Sequence, residues 1–173
     1  MGSRRDFIRK TAIASTGAAL SPKLSLGLDH FAGEKLRLGF IGVGLRGTNH
    51  LHNAISRSDV EVTAICDIDP KRIDIALKML DDSGRKKPKI YGKNEKDYLN
   101  LLEDKNVDAV LIATPWLWHT RMAVDGMKAG KYSAVEVSAS QTIEECWDLV
   151  NTHEQTGTHF MFLENVCFRR DIM

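Results

Sequence analysis

From Lys35 onward the chain alternates short apolar runs with stretches whose apolar residues recur every three or four positions, the pattern of a parallel sheet covered by helices. Leu36 to Ile41 predicts a first strand, and Leu45, Thr48, Leu51 and Ile55 behind it share one helix face. Val60 to Cys66, rich in β-branched residues, predicts a second strand that ends at Asp67. Asp69-Pro70 then supplies an N-cap with Pro at the first helical position, opening a helix to about Ser83. Lys89 to Tyr91 is a short third strand after the basic loop Arg85 to Lys87, whose lysines read as solvated, and Asp97 to Leu102 is a brief helix.

Val107 to Ala113 is a continuous apolar strand broken by Thr114-Pro115, and Thr120 to Ala129 is a helix closed by Gly130 as its C′ residue. Tyr132 to Val137 predicts the next strand. Thr142 and Glu145 form a capping box for a helix running to about Gly157, with Ile143, Cys146, Trp147 and Val150 as its buried face. His159 to Leu163 is the last strand and leads into Glu164-Asn165.

The first 34 residues follow a different rule. Ser3-Arg4-Arg5-Asp6-Phe7-Ile8-Arg9-Lys10 precedes a mildly apolar, small-residue stretch from Thr11 to Leu20, the layout of a twin-arginine (Tat) secretory signal. Pro22, Gly27 and Gly33 mark a linker, so residues 1–34 read as signal and linker and 35–165 as the ordered domain. Residues 3–10 carry +3, and without them the formal charge falls from +1 to −2, which leaves no electrostatic footprint for nucleic acid. No apolar run is long enough to span a bilayer. Cys66, Cys146 and Cys167 lack metal-site spacing and read as small apolar core residues, so no metal site is expected.

The chemistry lies at the predicted strand ends. Gly42-Val43-Gly44-Leu45-Arg46-Gly47 is a G-x-G-x-x-G loop that leaves a strand and opens a helix, and Asp67 stands 20 residues after Gly47 at the end of the next strand. That is the fingerprint of a Rossmann dinucleotide-binding domain, an α/β doubly wound parallel sheet. Gly42 serves the tight turn, Gly44 the approach of pyrophosphate, and Gly47 the packing of helix on strand. A carboxylate at Asp67 bonds the ribose hydroxyls and repels a 2′-phosphate, favouring NAD over NADP. Replacing Asp67 by Ala is expected to weaken NAD binding by roughly an order of magnitude through lost charge-assisted hydrogen bonds. Trp116-Leu117-Trp118-His119, Glu136-Val137 and Glu164-Asn165 occupy three further strand ends, where ligands bind in open parallel sheets. Two exposed indoles there are suited to stacking on a nicotinamide or sugar ring.

These motifs, with Ala113-Thr114-Pro115 and Lys128-Ala129-Gly130-Lys131, resemble the Gfo/Idh/MocA family, two-domain proteins with an N-terminal Rossmann domain. The closer similarity is to its glycoside hydrolase family 109 branch, NAD-dependent α-N-acetylgalactosaminidases. It is carried by Phe40 to Gly47, Ala64 to Pro70, Pro115 to His119, Glu144 to Val150 and Met161 to Cys167, and the Tat-like leader also fits. The resemblance implies NAD contacts from Leu45, Arg46, Asp67, Trp116, Leu117, Trp118, His119, Glu136, Val137 and Asn165. Dehydrogenases of the superfamily carry Glu-Lys-Pro where this chain has Glu136-Val137-Ser138, and the missing Lys argues against simple alcohol oxidation.

The implied reaction oxidises the sugar at C3 by hydride transfer to NAD, eliminates the aglycone from C1, adds water and returns the hydride. The resemblance also implies a C-terminal substrate domain bearing a catalytic Tyr and His, so the catalytic residues are expected beyond Met173, with residues 166–173 opening that domain. The chain then reads as a fragment, inactive alone as a glycosidase, of a periplasmic or secreted enzyme. Its expected partners are a glycoside substrate and the Tat machinery, with a homo-oligomer compatible. An exported sugar dehydrogenase and a non-catalytic nucleotide-binding module are the alternatives.

Overall fold

The structure is a computed structural model that describes residues 35–164 and residue 166. The leader and Asn165, together with Cys167 and the rest of residues 167–173, lie outside the described residues.

The central strand β1 (Leu36–Ile41) pairs in parallel with β2 (Val60–Cys66) on one side and β4 (Ala109–Ile112) on the other. β3 (Lys89–Tyr91) extends the sheet beyond β2, while β5 (Tyr132–Val135) and β6 (Phe160–Phe162) extend it beyond β4, giving the order β3-β2-β1-β4-β5-β6. This is the doubly wound Rossmann order, in which the crevice opens at the carboxyl ends of β1 and β4, where the winding reverses. The expected strands are all present, but several end early. Val107, Asp108 and Ala113 flank β4 rather than join it, and Glu136 and Val137 lie past the end of β5.

The connecting helices are α1 (Leu45–Ile55), α2 (Pro70–Asp82), α3 (Tyr98–Leu102), α4 (His119–Lys128) and α5 (Ile143–Thr156). Alternation along β1 feeds two cores. Phe40 packs with Val43, Leu51, Ala76 and Leu80 beneath α1 and α2, while Ile41 packs with Tyr98, Leu101, Met122 and Met127 beneath α3 and α4. Both sheet faces are therefore covered, as a parallel sheet requires. Asp69 caps α2 by accepting from the Lys71 N–H at 2.9 Å, and Gly130 follows α4 at φ +72°. A 3₁₀ turn over Trp116–Trp118, unmarked by any periodicity, leads into α4.

Two expectations about α5 are corrected. The capping box on α5 forms, but its apolar stripe points outward: Ile143 is 72 % exposed, Trp147 60 % and Val150 45 %, and Cys146 is exposed as well. Leu149 and Thr152 face the fold instead, because the periodicity shows that a stripe exists but not which neighbour covers it. Cys146 is thus not a core thiol, whereas Cys66 is buried as expected. In the basic loop, Lys86 is exposed, but Arg85 turns inward and donates to the carbonyls of Val60 at 3.1 Å, Arg57 at 2.6 Å and Ile55. It ties the start of α2's return loop to the end of α1. No helix among the described residues is long and apolar enough to cross a membrane.

Candidate functional site

The glycine loop leaves β1 and enters α1 with backbone groups alone. Gly42 sits at φ +89°, a region costly for any residue with a Cβ, and a Cβ there would lie 2.7 Å from the Ala113 carbonyl oxygen. At Gly47 a Cβ would come within 2.1 Å of the Gly42 carbonyl oxygen, so the helix rests directly on the turn. Gly44 differs: a Cβ would meet nothing within 4 Å, and the residue lines an open cavity. As the N-cap of α1 it offers no side-chain cap, and the first turn carries no acidic residue. The leading N–H groups and the positive end of the helix dipole are left for an anion.

Asp67 closes the other side of the loop. Its Oδ2 accepts from the Val43 N–H at 2.8 Å and its Oδ1 from the Asp69 N–H at 2.9 Å. One carboxylate thus locks the glycine loop to the β2 turn, and each oxygen retains a lone pair for a ribose hydroxyl. Behind it, burial and then the neighbouring Asp97 and Asp67 push the Cys66 thiol up to about 12, so Cys66 is an inert wall rather than a nucleophile.

The cavity, about 280 Å³, runs from Gly42 and Gly44 past Asp67 and is walled opposite by Thr114, Pro115 and Trp118. It unites the ends of β1, β2 and β4. The two indoles divide: Trp118 is half-buried against the cavity and Trp116 is 62 % exposed, which corrects the reading of both as exposed. Trp118 is held edge to face by Tyr98 at a centroid distance of 6.4 Å and covered by Arg121 at 5.7 Å.

His119 is turned inward and fully buried. Its Nδ1 lies 2.7 Å from the Ser138 carbonyl oxygen and its Nε2 2.7 Å from the Thr114 carbonyl oxygen. The ring joins the turns after β4 and β5, and neither nitrogen is turned toward the cavity. Thr120 reinforces the joint by donating to the Ala139 carbonyl at 2.8 Å.

The end of β5 forms a second cluster beside the cavity. Glu136, buried, accepts from Arg46 Nε at 2.9 Å, from the Val137 N–H at 3.2 Å and from His50 Nε2. Burial alone would raise its carboxyl, but the bonds from His50, Val137 and Arg46 outweigh it and hold the group below its ordinary value. The ionised carboxylate fixes Arg46 at the mouth of the glycine loop. Sequence reasoning missed His50, whose partner lies 86 positions away. Leu45, Trp116, Leu117 and Val137 contribute exposed apolar surface at the same end of the sheet, and Asn165 is outside the described residues. Among the described residues no cluster of three or more His, Cys, Asp or Glu is arranged to hold a metal ion.

Comparison with known proteins fits this geometry. Residues 36–163 match the GFO_IDH_MocA oxidoreductase family, described as having an NAD-binding Rossmann fold. A glycosyl hydrolase family 109 protein of Parabacteroides distasonis is 43 % identical over 185 residues, covering 99 % of this chain and 40 % of its own length. An alpha-N-acetylgalactosaminidase of Tannerella forsythia is 40 % identical over 188 residues, with the same coverage. The chain therefore spans about 40 % of the length of these curated relatives. Among solved structures, an NAD-binding protein from Listeria innocua superposes with a TM-score of 0.66 at 29 % identity, over 80 % of this chain and 38 % of that one.

Proposed function

The chain belongs to the Gfo/Idh/MocA oxidoreductase family and carries its NAD-binding Rossmann domain, and from that premise we propose that it is the cofactor-binding part of an NAD-dependent glycosidase acting on α-N-acetylgalactosaminides. The observation that carries this reading is 40 % identity to an alpha-N-acetylgalactosaminidase across 99 % of the chain, rather than across the glycine loop alone. Val137 supports it, because the rim of the sheet presents a methyl-bearing side chain where the superfamily's dehydrogenases place a Lys.

The cavity fits the cofactor: an open space at Gly44, a helix start without a cap, and a carboxylate with free lone pairs at the end of β2. NAD, when bound, supplies a hydride acceptor that is restored by the end of the cycle, so the net reaction is hydrolysis. The chain's own groups bind and orient. Asp67 takes the ribose hydroxyls, the first turn of α1 with Arg46 takes the pyrophosphate, and Glu136 with His50 keeps Arg46 in place. His119 holds together the two turns that frame the reacting end.

Export through the Tat route is part of this proposal, supported by Arg4-Arg5 and the weakly apolar stretch behind them. A cofactor recycled within each turnover suits an enzyme acting where no nicotinamide pool exists. The test is to assay the complete protein on a nitrophenyl α-N-acetylgalactosaminide. Release of nitrophenol without net NADH is expected. Accumulation of NADH in step with sugar consumption would identify a sugar dehydrogenase instead.

A further inference from the structure

Trp118 walls the cavity, yet among the described residues no hydrogen bond holds its indole N–H. Its orientation rests on ring contacts: Tyr98 meets it edge to face at 6.4 Å, and the Arg121 guanidinium covers it at 5.7 Å. Both of those groups converge on one oxygen. Asp125 Oδ2 accepts from the Tyr98 hydroxyl at 2.7 Å and lies 4.0 Å from Arg121 Nε. Trp118, Arg121, Asp125 and Tyr98 thus close a ring of contacts in which only Trp118 and Tyr98 line the cavity.

Helical geometry explains the arrangement. Trp118 immediately precedes α4, and Arg121 and Asp125 follow it three and seven positions on, so all three share one face. An Arg four residues before an Asp is the weaker order for a helical ion pair. At 4.0 Å and with Arg121 56 % exposed, this pair contributes little to α4 itself. Burial and then the Asp125 carboxylate push the Tyr98 phenol up to about 12, so it stays a donor to that carboxylate.

We propose that Asp125 is a positioning residue for the cofactor cavity: it anchors the Tyr98 ring and the Arg121 guanidinium, which between them clamp Trp118 as the cavity wall. The inference rests on the NAD-binding reading of the cavity and gives a role to a carboxylate that lies outside it. A wall set before the ligand arrives lowers the ordering cost of binding. Guanidinium suits the cover better than ammonium because it is flat, weakly hydrated and stacks on π faces.

The test reads Trp118 directly. In the full chain carrying Trp116→Phe and Trp147→Phe, Trp118 is the sole indole. Asp125→Asn in that background keeps an oxygen for the Tyr98 hydroxyl but removes the charge that holds Arg121. Acrylamide quenching of the ligand-free protein is expected to rise, while the melting temperature stays close to that of the background. With the other tryptophans restored, calorimetry should show Asp125→Asn and Arg121→Gln each weakening NAD roughly three-fold, the scale of one cation–π contact. The double variant should bind no more weakly than either single one, because both act on the same clamp. Unchanged quenching in Asp125→Asn, a loss of NAD affinity below about 1.5-fold, or losses that multiply in the double variant would overturn the proposal. A wild-type chain that does not bind NAD would instead overturn the cofactor reading, and quenching would then decide alone whether Asp125 holds Trp118.

Discussion

Gly47→Ala is expected to weaken NAD binding roughly a hundred-fold and to lower the stability of the domain at the same time. The added Cβ would lie 2.1 Å from the Gly42 carbonyl oxygen, and both atoms belong to backbone that has no rotamer to change. Relief requires α1 to move off the turn, carrying with it the first-turn N–H groups and Arg46. Overpacking of this kind costs about 3 kcal/mol, and where it is taken from binding it is roughly a hundred-fold in Kd. Gly44→Ala separates the two roles, since a Cβ there meets no protein atom and only the space for the ligand is reduced. It should melt as wild type does while binding NAD more weakly. Calorimetric titration with NAD and thermal denaturation of both variants check this, and a Gly47→Ala protein that binds NAD normally would refute the loop geometry.

His119→Ala has the second largest expected effect, and it falls chiefly on stability. The imidazole lies between two carbonyl oxygens at 2.7 Å, Thr114 and Ser138, inside a fully buried site. Truncation leaves these acceptors without the ring and opens a cavity between α4 and the turn after β5. Losing the hydrogen bond that the ring's N–H donates to one of these carbonyls, together with the cavity left behind, costs about 2–4 kcal/mol, a large share of a domain's net stability. The melting temperature should fall by about 10 °C. His119→Gln keeps an amide donor and should recover part of the loss. A His119→Ala chain melting within two degrees of wild type would show that the ring does not hold the two turns together.

Much of this was legible in the chain because the signals are local. β1, the glycine loop and Asp67 follow from one apolar run, three glycines and a spacing of 20 residues, and the geometry at Gly42 and Gly47 supplies the physical reason for each. The caps at Asp69 and Thr142 were equally readable, since each involves residues at most three positions apart. Strand ends were overextended at Val107, Ala113 and Val137, because apolar character continues past the last ladder bond. Long-range pairings were not readable at all. Nothing near His50 announces Glu136, nothing in the basic loop marks Arg85 as the partner of three carbonyls, and nothing in Trp-Leu-Trp-His indicates that one indole and the imidazole turn inward while the other indole stays exposed. The outward stripe of α5 is the same lesson in apolar form, for amphipathicity belongs to the helix and burial to whatever lies beside it.

In the proposed function Asp67 joins the glycine loop to the cofactor's ribose. The direct measurement is calorimetry of the full chain with NAD and NADP, on wild type and on Asp67→Ala. Wild type should bind NAD at least ten-fold more tightly than NADP, and Asp67→Ala should lose roughly ten-fold in NAD affinity with most of that discrimination. Equal binding of the two dinucleotides by wild type, or an Asp67→Ala chain with unchanged NAD affinity, would contradict it.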